Sequence, residues 1–224
     1  MPIGVPQILF SFEVDNEEDA EEAVDADWID LYDILSKERI LLLCSELSDE
    51  MSNQLIGLFV YFNAENPYKE FFFYINSYGG VIIGAIALFD AINYVSSDVS
   101  TIAVGNAFNM ASLIVSTGTQ GKRISLPHAR FLIHEPDAGS TPIYITSAVD
   151  ETKRILRVTD LVFRLYCERT GQSFERLEKD IYGDEKFYMS AEEAQKYNLV
   201  DLVVKEENII NEMITDHEMQ QNIN

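Results

Sequence analysis

Residues 101–117 read TIAVGNAFNMASLIVST, and few folds can accept such a run. A β-branched stretch leads to Gly105, and small residues then open an apolar helix. Strand, glycine turn and helix is how α/β folds present one residue at the head of a helix. There, unpaired backbone N–H groups and the positive end of the helix dipole face whatever is bound. Asn109 occupies the position where a nucleophile is expected. Its amide nitrogen is conjugated with a carbonyl, so a neighbouring base cannot turn it into one.

The rest of the chain has the same grammar. Residues 39–44 and 70–75 are apolar runs suited to buried strands, the second apolar on both faces as in a sheet covered on both sides. Further strands are expected at 99–104, 123–126, 131–133 and 202–204. Apolar spacing predicts helices over 28–38, 49–63, 81–95, 107–117 and 173–179, with a long amphipathic one over 143–169. In 190–197, Ser190 at the N-cap and Glu193 three positions on form a capping box. Alternating β and α with short loops predicts an α/β fold of right-handed crossovers. One domain is expected over 28–204, with a flexible acidic arm at 1–27 and a polar tail at 205–224.

Composition narrows the function classes. The 224 residues are 47% hydrophobic, enough for one well-buried domain, and no apolar run approaches a membrane span. A formal charge of −22 argues against nucleic acid, whose phosphates need clustered Lys and Arg, and against an anionic membrane surface. Much of that charge lies in 13–33, which carries no Lys or Arg and reads as a solvated segment. The start shows neither a signal peptide nor a transit peptide, so synthesis in the working compartment, or a processed form, is expected. Cys44 and Cys167 lack metal-ligand spacing and are expected to be buried thiols in a reducing compartment.

Three further features carry chemistry. Gly79-Gly80 follows a buried strand, where backbone can approach a ligand closely and present an N–H. With the N–H of Met110 at a helix start, Gly80 makes a candidate oxyanion hole. His134 ends an apolar strand, and strand C-termini are where sites collect in parallel sheets; it is the candidate base. An acid to orient it is sought in 181–186, where Asp184 is the best candidate. His128 and His217 read as structural and exposed.

Laid side by side, these residues resemble the Clp protease proteolytic subunit family. FFFYINSYGG (71–80) matches the family's strand and Ser-Pro-Gly-Gly turn, with Tyr78 in place of the proline. VGNAFNMAS (104–112) matches the nucleophile turn, and LPHARFLIHEP (126–136) the strand that bears the base. RTGQSFERLEKD (169–180) and FYMSAEEAQKYNLVD (187–201) match the segments flanking the acid. The opening MPIGVP resembles the plastid-encoded members, which implies the chloroplast stroma.

The resemblance implies a Clp protease/crotonase-like β–α spiral with a long handle helix. It implies two stacked heptameric rings, homomeric or mixed, around a closed chamber with Ser-His-Asp sites, and unfolded proteins as substrate. It also implies an ATP-driven unfoldase that docks on the ring, so ATP belongs to that partner and the chain itself needs no cofactor or metal. Carried over, His134 falls on the base, Gly80 and Met110 on the oxyanion donors, and Asn109 on the nucleophile. Counting forward from Asp180 puts the acid at Asp184, and counting back from Met189 puts Lys186 there. An insertion of two residues after Asp184 reconciles the counts and favours Asp184. Ser112 should face about a turn away and not substitute. Residues 135–142 depart from the family's Gly- and Gln-rich pattern where the rings meet. The leading expectation is a ring subunit without its own peptidase activity. An active serine endopeptidase is the alternative, and a crotonase-fold acyl-CoA enzyme a remote one, since that chemistry needs no serine.

Overall fold

Pairing across long sequence separations, which local spacing cannot reveal, organises the first elements. The structure is a computed structural model, and it describes residues 6–11, 26–135, 145–183 and 187–204. Strand β1 (Gln7–Ser11) pairs antiparallel with β2 (Ala26–Asp30), bringing Leu9 opposite Trp28. Helix α1 (Leu31–Lys37) begins only after that strand. The expected helix over 28–38 is therefore shorter. Trp28, Leu31 and Leu35 are helically spaced, but the Trp28 backbone belongs to a ladder. Part of the arm expected to be flexible is thus a strand, and 12–25 lie outside the described residues.

The main sheet is built from repeated β-α units. Strand β3 (Ile40–Leu43) leads to α2 (Asp49–Glu65), whose N-cap Ser48 accepts a hydrogen bond from the Met51 N–H at 3.1 Å. Strand β4 (Phe71–Ser77) and α3 (Ile82–Tyr94) follow, then β5 (Val99–Phe108) and α4 (Met110–Thr117). On the covered face of β4, Phe71 and Phe73 set their rings 5.0 and 5.5 Å from that of Phe59 on α2, all fully buried. The other face was expected to be covered too. Instead Phe72 is exposed and Tyr74 half-buried, since among the described residues the helices pack on the Phe71 and Phe73 face. Cys44, just past β3, is exposed rather than buried. It lines a surface cavity of about 490 Å³ with Tyr32 and Met51, and partial burial there pushes its thiol pKa up.

Strand β5 runs four residues further than the sequence suggests, so α4 starts at Met110 instead of 107. Gly105 explains this. At φ 80 it kinks the strand without ending it, and a Cβ there would come within 2.8 Å of Asn76 Oδ1, which accepts from the Asn106 N–H at 3.0 Å. Before the kink β5 pairs parallel with β6 (Arg123–Ser125); beyond it, with β7 (Arg130–Ile133). The edge of β5 away from β4 thereby serves two neighbours.

The long helix α5 (Ile145–Thr170) ends at Gly171, φ 71, whose N–H donates to the Cys167 carbonyl. After it come α6 (Phe174–Ile181), β8 (Phe187–Ser190), α7 (Ala191–Lys196) and β9 (Leu202–Val203). The capping box of Ser190 and Glu193 forms as expected. Strand β8, by contrast, has no forecast in the sequence pattern, and it runs antiparallel to β7. The seven-stranded sheet of the described residues runs β3-β4-β5-β6-β9, with β7 branching from β5 and β8 from β7. Every pairing but the last is parallel. This is the α/β arrangement with parallel sheet that the sequence predicts.

Candidate functional site

Strands β4, β5 and β7 point their C-terminal ends at one cavity of about 410 Å³. It is lined by Tyr78, Gly79, Gly80, Asn109, Met110 and His134, together with Glu46, Ile82, Leu132 and Glu135. Parallel strands release their chains at this edge, so loops and helix starts converge there.

The glycine wall is set by close backbone approach. Gly80 forms a parallel bridge with Leu47: the Leu47 N–H donates to the Gly79 carbonyl and the Val81 N–H to the Leu47 carbonyl, both at 2.8 Å. In such a bridge the N–H of Gly80 itself points away from Leu47. A Cβ on Gly80, φ 154, would collide with the Leu47 carbonyl. A Cβ on Gly79, φ 93, would lie 2.8 Å from the Phe108 carbonyl and 3.1 Å from the Met110 nitrogen. Both positions require glycine.

Asn109 is the corner between β5 and α4. It takes φ 52 and ψ −121, a conformation that non-glycine residues seldom adopt and that tends to occur where function demands it. Its N–H donates to the Leu132 carbonyl at 2.8 Å, tying the corner to β7. Its Nδ2 donates weakly to the Tyr78 carbonyl at 3.4 Å, and its Oδ1 is buried with no partner among the described residues. Buried polar atoms without partners are uncommon and concentrate at functional places. Met110, the first helical residue, has an N–H with no intrahelical acceptor.

His134 is half-buried one residue beyond β7, and its Nδ1 lies 2.7 Å from the Glu135 carbonyl oxygen. A protonated Nδ1 donates to that carbonyl and leaves Nε2 as the basic nitrogen of a neutral ring. The structure therefore gathers Gly80, Asn109, Met110 and His134 around one cavity. Asp184 and Lys186 lie outside the described residues, as does His217, while His128 is exposed.

Ser112 is fully buried, and its Oγ lies 2.8 Å from the Asn109 carbonyl, 3.1 Å from that of Leu132 and 2.8 Å from the Tyr166 hydroxyl. It faces away from the cavity, as its spacing from Asn109 predicts. Tyr166, on α5, carried no signal in the sequence beyond an apolar position of an amphipathic helix. Tyr78 did carry one, as the residue replacing a proline. Its ring packs edge-on against Phe108 at 5.4 Å, and Phe108 against Tyr188 at 5.8 Å, so an aromatic row runs outward from the cavity wall at Tyr78.

Comparison with known proteins agrees over almost the whole chain. The family model described as Clp protease matches residues 22–207. An "ATP-dependent Clp protease proteolytic subunit" from Chlorella vulgaris is 45% identical over 91% of this chain and 96% of its own length. One of the same description from Oltmannsiellopsis viridis is 43% identical over 91% of this chain and 98% of its own. A "proteolytic subunit 2" from Prochlorococcus marinus strain MIT 9312 is 39% identical, over 91% and 96%.

Proposed function

The chain belongs to the Clp protease family, and we propose that it serves there as a ring subunit without peptidase activity of its own. The observation that carries this is the amide at position 109. The corner, the cavity, His134 and the N–H groups of Gly80 and Met110 are arranged as acyl transfer needs: a base, two donors for an oxyanion and a residue thrust out at a helix head. Position 109, where that chemistry needs a nucleophile, holds an amide. Loss of one triad member leaves roughly 10³–10⁴-fold catalysis over water, too little for protein turnover.

In this reading His134 is the base, Gly80 and Met110 donate to the oxyanion, Asp184 is the acid, and Asn109 fills the nucleophile position. The subunit joins others that keep the serine in a mixed double ring of heptamers. An ATP-driven unfoldase feeds unfolded proteins to that ring, so the subunit's part in protein quality control is architectural. Leu156 and Leu161, exposed among charged residues on the outer face of α5, support assembly, since apolar side chains gain by burial against a neighbour. The relatives come from green algae among other organisms, which supports a plastid-type subunit working in the chloroplast stroma. The working domain spans 28–204, with 1–27 and 205–224 as arm and tail.

The test is direct. The purified full chain, free of other subunits, is offered unfolded protein and a serine-directed fluorophosphonate. Neither turnover nor an adduct is expected; cleavage at a serine-protease rate would overturn the reading.

A further inference from the structure

The carbonyl of Asn109 and the N–H of Met110 belong to one peptide unit. That unit is planar and trans, so the C=O and N–H point in opposite directions and fixing one aims the other. On the carbonyl side, the Tyr166 hydroxyl donates to the Asn109 oxygen at 2.7 Å. Ser112 Oγ lies 2.8 Å from the same oxygen and 2.8 Å from the Tyr166 hydroxyl. The N–H groups of Ser112 and Leu113 approach it as well, at 3.0 and 3.4 Å. Neither hydroxyl residue lines the cavity: Tyr166 and Ser112 are 1% and 0% exposed, and both lie behind the corner.

We propose that Tyr166 and Ser112 are positioning residues for the Met110 N–H, holding its peptide from behind so that the donor aims into the cavity. The proposal rests on the reading of Met110 as an oxyanion donor and assigns the groups that orient it. Two effects follow from the geometry. The hydroxyls fix the tilt of the peptide plane at a corner whose dihedrals are strained, where the backbone would otherwise relax. Hydrogen bonds accepted by the carbonyl also polarise the peptide and strengthen its N–H as a donor. Ser112 has a single hydroxyl proton to give, and its Oγ lies 3.1 Å from the Leu132 carbonyl that receives the Asn109 N–H, so it packs the clamp against β7, the strand leading to His134.

Burial holds the Tyr166 phenol proton on at any working pH, so the clamp is not expected to titrate. Because Tyr166 lies on α5, the cavity's donor is mechanically joined to the long helix.

The experiment uses the full chain labelled with ¹⁵N-methionine, in four forms: unaltered, Tyr166→Phe, Asn109→Ser, and the double variant. Tyr166→Phe removes one oxygen atom and keeps the ring that packs in the core. The first readout is the Met110 amide signal, with those of Met51 and Met189 as internal references. The second is the rate of fluorophosphonate labelling of the Asn109→Ser forms. Tyr166→Phe is expected to shift the Met110 amide upfield while the references hold. It should also slow labelling roughly 10-fold, a fraction of the ~10²–10³-fold lost when an oxyanion donor is removed outright. A moved Met110 signal with no labelling of Asn109→Ser supports the clamp and overturns the poised site. An unmoved Met110 signal overturns the clamp, whatever Asn109→Ser does. A loss of stability alone, with Met110 and the labelling rate unchanged, makes Tyr166 a core residue and nothing more.

Discussion

Arg123 at the N-terminal end of β6 engages every nitrogen of its guanidinium, whereas at the opposite end of the same sheet Asn109 Oδ1 has no partner among the described residues. The arginine is 3% exposed and donates to Asp201, to Asn198 and to the Arg169 carbonyl, pinning the turn before β9 and the end of α5 to the sheet. The other end keeps a strained corner, two glycines pressed against backbone and N–H groups aimed at space. Saturated polar contacts serve stability, whereas a buried polar atom without a partner, at the wall of a cavity, is what a functional place shows. The contrast holds for Arg123 against Asn109 and not for every group at each end, since Arg169 Nε beside Arg123 is also buried with no partner among the described residues.

Substitutions can break or sharpen this contrast. The largest effect belongs to Gly80→Ala. Its new Cβ meets the Leu47 carbonyl, with an added cost for the backbone conformation, so roughly 4 kcal/mol of stability should be lost. Denaturant unfolding measures it, and a loss under about 1 kcal/mol would mean that the glycine wall is not rigid.

Next comes Asp201→Ala, which strands a buried guanidinium and should cost roughly 3 kcal/mol, the low side of breaking a buried pair because Asp201 is partly exposed. The same pair predicts a pH dependence. Burial by itself would raise the Asp201 carboxyl, but hydrogen bonds and charge from Arg123, with the Gly121 N–H, outweigh it and hold the pKa below the ordinary range. A depressed folded pKa contributes stability above the unfolded value near ~4, lost as pH falls through the folded one. Wild type should therefore lose this contribution below about pH 4, and Asp201→Asn should lack that part of the slope.

His134→Ala should cost least, under ~0.5 kcal/mol, since the ring is half-buried and bonded only to a neighbouring carbonyl. A cost as large as that of Asp201→Ala would erase the distinction between the two ends.

These positions also mark how far the sequence could be read. Gly80, His134 and the Asn109 corner were legible because glycine after a buried strand, and a small-residue turn into a helix, each have one main structural meaning. Trp28 and strand β8 were not. Their ladder partners, Leu9 and Phe131, are fixed by tertiary pairing and leave no periodic trace. Gly105 misled in a different way: a glycine that ends a strand and one that bends it look alike until Asn76 is seen filling its missing side chain's place. Phe72 and Cys44 read as core from hydropathy alone, which counts apolar neighbours in sequence and not whether a helix covers that face. Tyr166 had no signal, since an apolar helix position and a hydroxyl clamp share one letter.

The most direct test of the central claim is the peptidase activity of Asn109→Ser beside wild type, each as full chain in the assembled complex with partner serines inactivated. The account predicts silence from wild type and cleavage from the variant, because His134 and the N–H groups of Gly80 and Met110 already surround the corner. Silence from both would contradict it, and would mean that the cavity has lost more than its nucleophile.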